Sequence, residues 1–312
     1  MMIAYRYDGT FAGFLTCVWD AMEGNIEPAA FLLPGGGATL WETREPAPDQ
    51  GRARQLYSAL ARRVSPEFQK MIARGFLTCL PEKELDLLAL IRRGLREGDR
   101  VRLDLSDPVI ARVNLALTKM WTEWDHLKGF VRFSDLDGFL VGEIEPKNRV
   151  LPLLAPHFAE RYSGERLALY DRTHHELFLS HLGRWKLLPA EDFRMDPAGT
   201  EEQTFRAMWR KYYQTIAIEG RINPKCQSSH LPKRYRHVMT EFECLRQIRA
   251  GQTIAVCPAL IDLLSPAVRR IFPFMRRQNQ PAASFPSSLS TDASLTHRAN
   301  ISIAVRRSSW DG

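Results

Sequence analysis

Three X-Pro steps constrain this chain more than any other feature. Ser65-Pro66, Leu80-Pro81 and Asp107-Pro108 divide the stretch between Arg52 and His126, because proline lacks a backbone N–H and its ring pushes the preceding residue out of the helical region. The segments between these steps carry apolar residues at helical spacing. Helices are therefore expected at about residues 52–64, 66–79, 82–96 and 108–126, the last with Asp107 as its cap and proline in the first helical position.

Upstream, alternation over residues 3–7 reads as a strand. Asp8-Gly9 then turns the chain, and Thr10 can cap a helix carrying Phe11, Phe14, Leu15, Val18 and Met22. Residues 33–50 are rich in Gly and Pro and read as a loop. It is not a phosphate loop, since no Gly-Lys-Ser/Thr closes it. Downstream the period changes. Residues 129–133 and 138–142 are short β-like runs joined by Asp135-Leu136-Asp137-Gly138, a hairpin signal. A short helix at 153–162 and strands at 167–171, 176–179 and 184–188 follow, and helices return at 201–219 and 232–241. The pattern predicts an α+β fold, an antiparallel sheet covered by helices. From about residue 244 the chain changes to a basic tail, helical at most around 259–275 and Ser/Pro/Ala-rich after it, for which disorder is expected.

Hydrophobic residues make up 45% and charged residues 25% of the 312, the mixture of a globular protein. The longest apolar runs fall well short of the roughly 20 residues needed to cross a bilayer, and the first residues lack a secretion-signal pattern. A cytoplasmic protein without membrane association is expected. The cysteines at 17, 79, 226, 244 and 257 lie far apart, which does not suit a zinc ribbon or an iron–sulfur cluster. His174, His175 and His181 fall in a stretch read as strands with no accompanying carboxylate pattern, so no metal site is expected.

The net charge of +7 is unevenly spread. Residues 204–237 hold eight Lys and Arg against the single acid Glu219, interleaved with aromatics. Basic groups neutralise phosphates while aromatic faces stack on unpaired bases, so this composition suits nucleic acid. The candidate binding residues are Trp209, Arg210, Lys211, Tyr212, Arg221, Asn223, Lys225, Lys233, Arg234 and Tyr235. An amphipathic helix with core aromatics and a solvated basic face is the alternative.

Candidates for chemistry are fewer. Glu143 and Glu145 lie two apart on an expected strand, so both side chains would share one face, and paired carboxylates can hold Mg²⁺ or exchange protons. His157, in the apolar run from Leu151 to Phe158, can act as a base near neutral pH. Asp171 follows an expected strand, where a turn also favours aspartate. A solvated strand face, a packed histidine and a turn residue are the respective plain alternatives.

Several separated motifs carry a resemblance: Tyr7-Asp8-Gly9-Thr10-Phe11, Gly129-Phe130-Val131-Arg132-Phe133, the run from Leu151 to Phe158, the segment from Trp209 to Asn223, and Leu231-Pro232-Lys233-Arg234-Tyr235. Over roughly residues 2–243 the chain resembles a bacterial family of DNA metabolism or DNA repair proteins, a domain of unknown function encoded beside, or fused to, a radical-SAM protein or a uracil-DNA-glycosylase-like domain. The resemblance implies a family-like domain at 1–243, with 244–312 an atypical addition. It also implies DNA, a radical-SAM protein and a uracil-DNA-glycosylase-like protein as partners. No cofactor is expected in this chain, because the radical-SAM cysteine triplet is missing. Two functions follow as expectations: an accessory that binds single-stranded or distorted DNA for a catalytic partner, or an autonomous DNA-processing enzyme using Glu143, Glu145, His157 and Asp171.

Overall fold

The computed structural model describes residues 3–242 apart from 38, 137, 192, 194–198, 217, 219, 221 and 222. The expectations for residues 244–312 and for Arg221 lie outside the described residues. The described chain falls into two compact units, residues 3–120 and 121–242.

In the first unit, β1 (Ile3–Arg6) is the middle of a three-stranded parallel sheet, with β2 (Pro28–Leu32) on one side and β3 (Glu42–Arg44) on the other. Around it lie α1 (Phe11–Glu23), α2 (Gln50–Arg63), α3 (Pro66–Phe76), α4 (Lys83–Glu97), a 3-10 turn (Asp99–Leu103) and the first part of α5 (Pro108–Phe130). The caps are those the sequence implies. Thr10 Oγ1 accepts from Gly13 N at 2.9 Å, Ser65 Oγ from Phe68 N at 3.0 Å, and Asp107 Oδ1 from Val109 N and Ile110 N at 2.8 and 3.0 Å. Each satisfies helix-end donors that would otherwise lack partners. The core is aromatic. Phe76 packs on Phe11 and Phe14, with ring centroids 5.2 and 5.5 Å apart, and Phe31 closes on Phe14 at 5.5 Å. A buried side chain of this size contributes roughly 1.5–3 kcal/mol. Burial also pushes the Cys17 thiol up to about 12, so it packs as a small apolar group.

The second unit is built on a five-stranded sheet in chain order: β4 (Phe133–Leu136), β5 (Phe139–Ile144), β6 (Arg166–Asp171), β7 (Glu176–His181) and β8 (Arg184–Pro189). All neighbours are antiparallel except β5 and β6, which run parallel across α6 (Leu151–Arg161). One face gathers Val141, Ala168, Tyr170, Leu177 and Leu179. By alternation Ile144, Leu169, Asp171 and Phe178 lie on the other face, where α6 packs. Next come α7 (Thr200–Thr215), α8 (Pro224–His230) and 3-10 turns at Lys233–Val238 and Thr240–Phe242.

The fold is thus mixed α and β, as expected, but not on one antiparallel sheet. The first sheet is parallel and the second mixed. Residues 129 and 130 extend α5 rather than beginning a strand, and 232–241 forms 3-10 turns rather than an α-helix. Among the described residues no helix is long and apolar enough to cross a membrane.

Candidate nucleic-acid interface

Helix α7 opens with Glu201 and Glu202 in its first turn, where carboxylates complement the helix dipole. Arg206 donates to Glu202 at 2.9 Å and to Ser134 Oγ at 2.5 Å, and Asp135 N donates to Glu202 at 3.3 Å, so the helix is fastened to β4 by one edge. Its other aspect is open. Phe205, Met208, Trp209, Tyr212 and Ile216 recur three or four residues apart and are all exposed, which puts them on one stripe. Trp209 and Tyr212 stack on each other at 5.6 Å with 27° between planes, at 41% and 55% exposure. Lys211 is exposed and Arg210 half-buried. Tyr213 meets Phe242 edge-on at 5.9 Å.

The remaining basic candidates divide. Lys225 and Lys233 are exposed. Asn223 is engaged as the cap of α8, its Oδ1 accepting from Cys226 N at 3.0 Å. Tyr235 is buried, with His126 and Phe130 packed against its ring at 5.7 and 5.4 Å, so that ring is not offered to a base. Arg234 is exposed but anchored. Its Nη2 lies 3.2 Å from Glu123 Oε1, and its guanidinium covers the Tyr235 ring at 4.5 Å.

The acid–base candidates have separate partners. Because β5 ends at Ile144, Glu145 is not on the strand with Glu143, and the expected carboxylate pair does not form. Glu143 lies 3.6 Å from Arg172, whereas Glu145 Oε2 meets His237 Nε2 at 2.5 Å. His157 packs on Phe158, and its Nε2 is buried without a hydrogen-bond partner among the described residues. Burial, aided by Lys128 and Arg161, holds its imidazole below the usual histidine range. Asp171 is fully buried; its Oδ1 accepts from Thr173 N and His174 N at 2.9 and 3.1 Å, and its Oδ2 lies 2.7 Å from His174 Nδ1. Asp171 and Glu143 lie on opposite faces of the sheet, since Asp171 is in register with Ile144 and Glu143 with Tyr170. Among the described residues no three His, Cys, Asp or Glu side chains are grouped so as to hold a metal ion.

One residue of this region escaped sequence reasoning, and the role of another was misjudged. Glu123 is an acid on the buried stripe of α5, between Met120 and Leu127, and is itself 1% exposed. A charge at a position whose spacing calls for an apolar residue was the available signal. His174 is expected to lack a carboxylate neighbour, but it occupies the turn after β6, and that turn brings it against Asp171.

A family model described as a domain of unknown function, DUF4130, matches residues 81–241. No curated protein matches the chain. Among solved structures, the pGpG-specific phosphodiesterase PggH from Vibrio cholerae is similar over 57% of this chain and 81% of its own, at 9% identity and a TM-score of 0.26. A likeness of that size carries no argument.

Proposed function

The chain belongs to the DUF4130 family, and with that as premise we propose that it binds single-stranded or distorted DNA through the open face of α7, as an accessory to a separate catalytic protein. The observation that carries this reading is the exposed stack of Trp209 on Tyr212 beside Lys211. Stacking of a base on such a ring contributes about 1–3 kcal/mol and tolerates any sequence, since every base has a face. Lys211, Lys225 and Lys233 meet phosphates. DNA, a radical-SAM protein and a uracil-DNA-glycosylase-like protein are the proposed partners, on the resemblance of the chain's motifs, and the cytoplasm is the proposed compartment. The chain supplies binding and no cofactor.

The test is fluorescence anisotropy of a labelled single strand with the full chain. Trp209→Ala/Tyr212→Ala should weaken binding at least tenfold, and Lys211→Ala/Lys225→Ala should flatten the slope of log affinity against log salt by roughly 0.7 for each phosphate that is no longer neutralised. Wild-type affinity in both variants would overturn the reading.

A second reading, an autonomous acid–base enzyme, is favoured by one observation. Buried Asp171 engages His174 Nδ1, and in the neutral tautomer that donates from Nδ1 to this carboxylate, Nε2 is the acceptor nitrogen. Strand cleavage or base release by the purified chain, abolished by His174→Gln, would establish it over the accessory role.

A further inference from the structure

We infer that Lys147 joins Lys233 and Arg234 in a phosphate seat built on the buried carboxylate of Glu123, and that this seat holds the backbone of the strand whose bases stack on α7. The inference rests on the nucleic-acid reading above and adds to it Lys147, a residue outside the basic segment from which that reading was drawn, and Glu123 as the carboxylate that aligns it.

The geometry starts at Glu123, whose side chain is 1% exposed. Its Oε1 accepts from Lys147 N at 3.0 Å and faces Arg234 Nη2 at 3.2 Å, while its Oε2 accepts from Asn148 N at 2.8 Å and Asn148 Nδ2 at 2.6 Å. The carboxylate thus has as many partners as it has lone-pair sites. One oxygen binds both the Lys147 backbone and the Arg234 guanidinium, so these groups from distant parts of the chain are held side by side. A second strap, Glu145 to His237, repeats the alignment one step along. The loop after β5 and the 3-10 turn at Lys233–Val238 are therefore joined at two points in register.

What this alignment presents outward is basic. Lys147 and Lys233 are exposed, and no carboxylate pairs with either among the described residues. Arg234 uses only Nη2 for Glu123 and for the Tyr235 hydroxyl, which leaves its Nε and Nη1 donors uncommitted to those contacts. Its guanidinium plane is fixed by the Tyr235 ring beneath it. An arginine fork held against a ring, with Lys233 preceding it in the chain and the Lys147 backbone bound to the same carboxylate oxygen, offers what a phosphodiester accepts, paired donors around a single delocalised charge. Two carboxylates belong to this region, Glu123, which is buried, and Glu145, which is half-exposed and hydrogen-bonded to His237, against the three cations Lys147, Lys233 and Arg234, so the formal balance of these five side chains is positive. The same segment runs on to Phe242, which packs on Tyr213 of α7 and under Arg236. The segment that carries the seat is thereby packed against α7, the helix that carries the aromatic stripe.

The deciding experiment uses the full chain and a fluorescein-labelled oligo-dT of roughly 16 nucleotides, titrated by anisotropy over a series of salt concentrations. Lys147→Ala should weaken binding severalfold at low salt and flatten the log–log salt slope by roughly 0.7, and Lys147→Glu should weaken it further. Trp209→Ala/Tyr212→Ala should lower affinity while leaving the slope unchanged. If both Lys147 variants, folded by circular dichroism, keep wild-type affinity and slope while the aromatic variant binds poorly, the seat is refuted and the α7 interface stands. If the wild-type chain itself fails to bind, the interface and the seat fall together.

Discussion

Arg132 and Glu241, 109 positions apart, meet as a forked ion pair: Arg132 Nη2 donates to Oε1 at 2.7 Å, and Nε lies 3.2 Å from both carboxylate oxygens. The Glu241 side chain is only 2% exposed. Arg132 Nη1 also donates to the carbonyls of Gly129 and Val131, covering the end of α5. Removing one partner of a buried pair strands the other's charge, whereas removing both can be nearly neutral. Arg132→Met should therefore lower unfolding stability by about 3 kcal/mol, and Arg132→Met/Glu241→Leu should recover most of that. Urea melts of the two variants check it; equal losses would mean that the pair itself matters little.

Stability should fall on mild acidification because of His157. Burial depresses its proton affinity in the folded chain, while the unfolded chain keeps the ordinary value near 6.5. Between that value and the lower pKa of the folded chain the unfolded state binds more protons, so the stability associated with the neutral ring is fully present above about 6.5 and is lost as pH falls from there through the folded-state pKa. His157→Leu should narrow the difference between urea midpoints at about pH 7.5 and pH 5.5. An unchanged difference would point to another group.

Gly94 should not tolerate even alanine. A Cβ there would stand 2.5 Å from Phe68 Cζ and 2.9 Å from Cε1, against a ring that is fully buried. Alanine gains about 1 kcal/mol in helix propensity, but overpacking a closed core costs about 1–3 kcal/mol, and a confined ring has little room to yield. Gly94→Ala is expected to lower the melting temperature, with partial rescue by Phe68→Leu. A rise in melting temperature would mean that the two helices separate easily.

What could be read from the sequence was local. Proline steps and caps marked α1 to α5 to within a few residues, because Thr10, Ser65 and Asp107 act on neighbours three positions away. Strand pairing could not be read in this way. Glu42–Arg44 is three residues in a Pro-rich stretch, and it is a strand only because β1 offers it an edge. The parallel step from β5 to β6 likewise depends on where α6 packs. At the candidate interface, the interleaving of basic and aromatic residues in α7 was legible as composition, but that Trp209 and Tyr212 are exposed rather than core was not. Tyr235, Glu145 and Glu123 depended on partners as far as 111 residues away, as with Glu123 and Arg234, and no periodicity encodes those.

The central place of β1 also sets how the first unit comes apart. Its amides and carbonyls are engaged by β2 on one side and β3 on the other, and β2 is joined to β3 by residues 33–41 with no helix among those described. The outer strand β3 can therefore detach by itself, without unwinding a helix, in a local opening that involves only three residues of pairing. β1 has no such route, since freeing it means breaking both ladders and exposing Tyr5 and Ala4, which are fully buried. Solvent deuterium should thus enter β3 early, and the β1 positions that pair with β2 only with the cooperative loss of the whole unit.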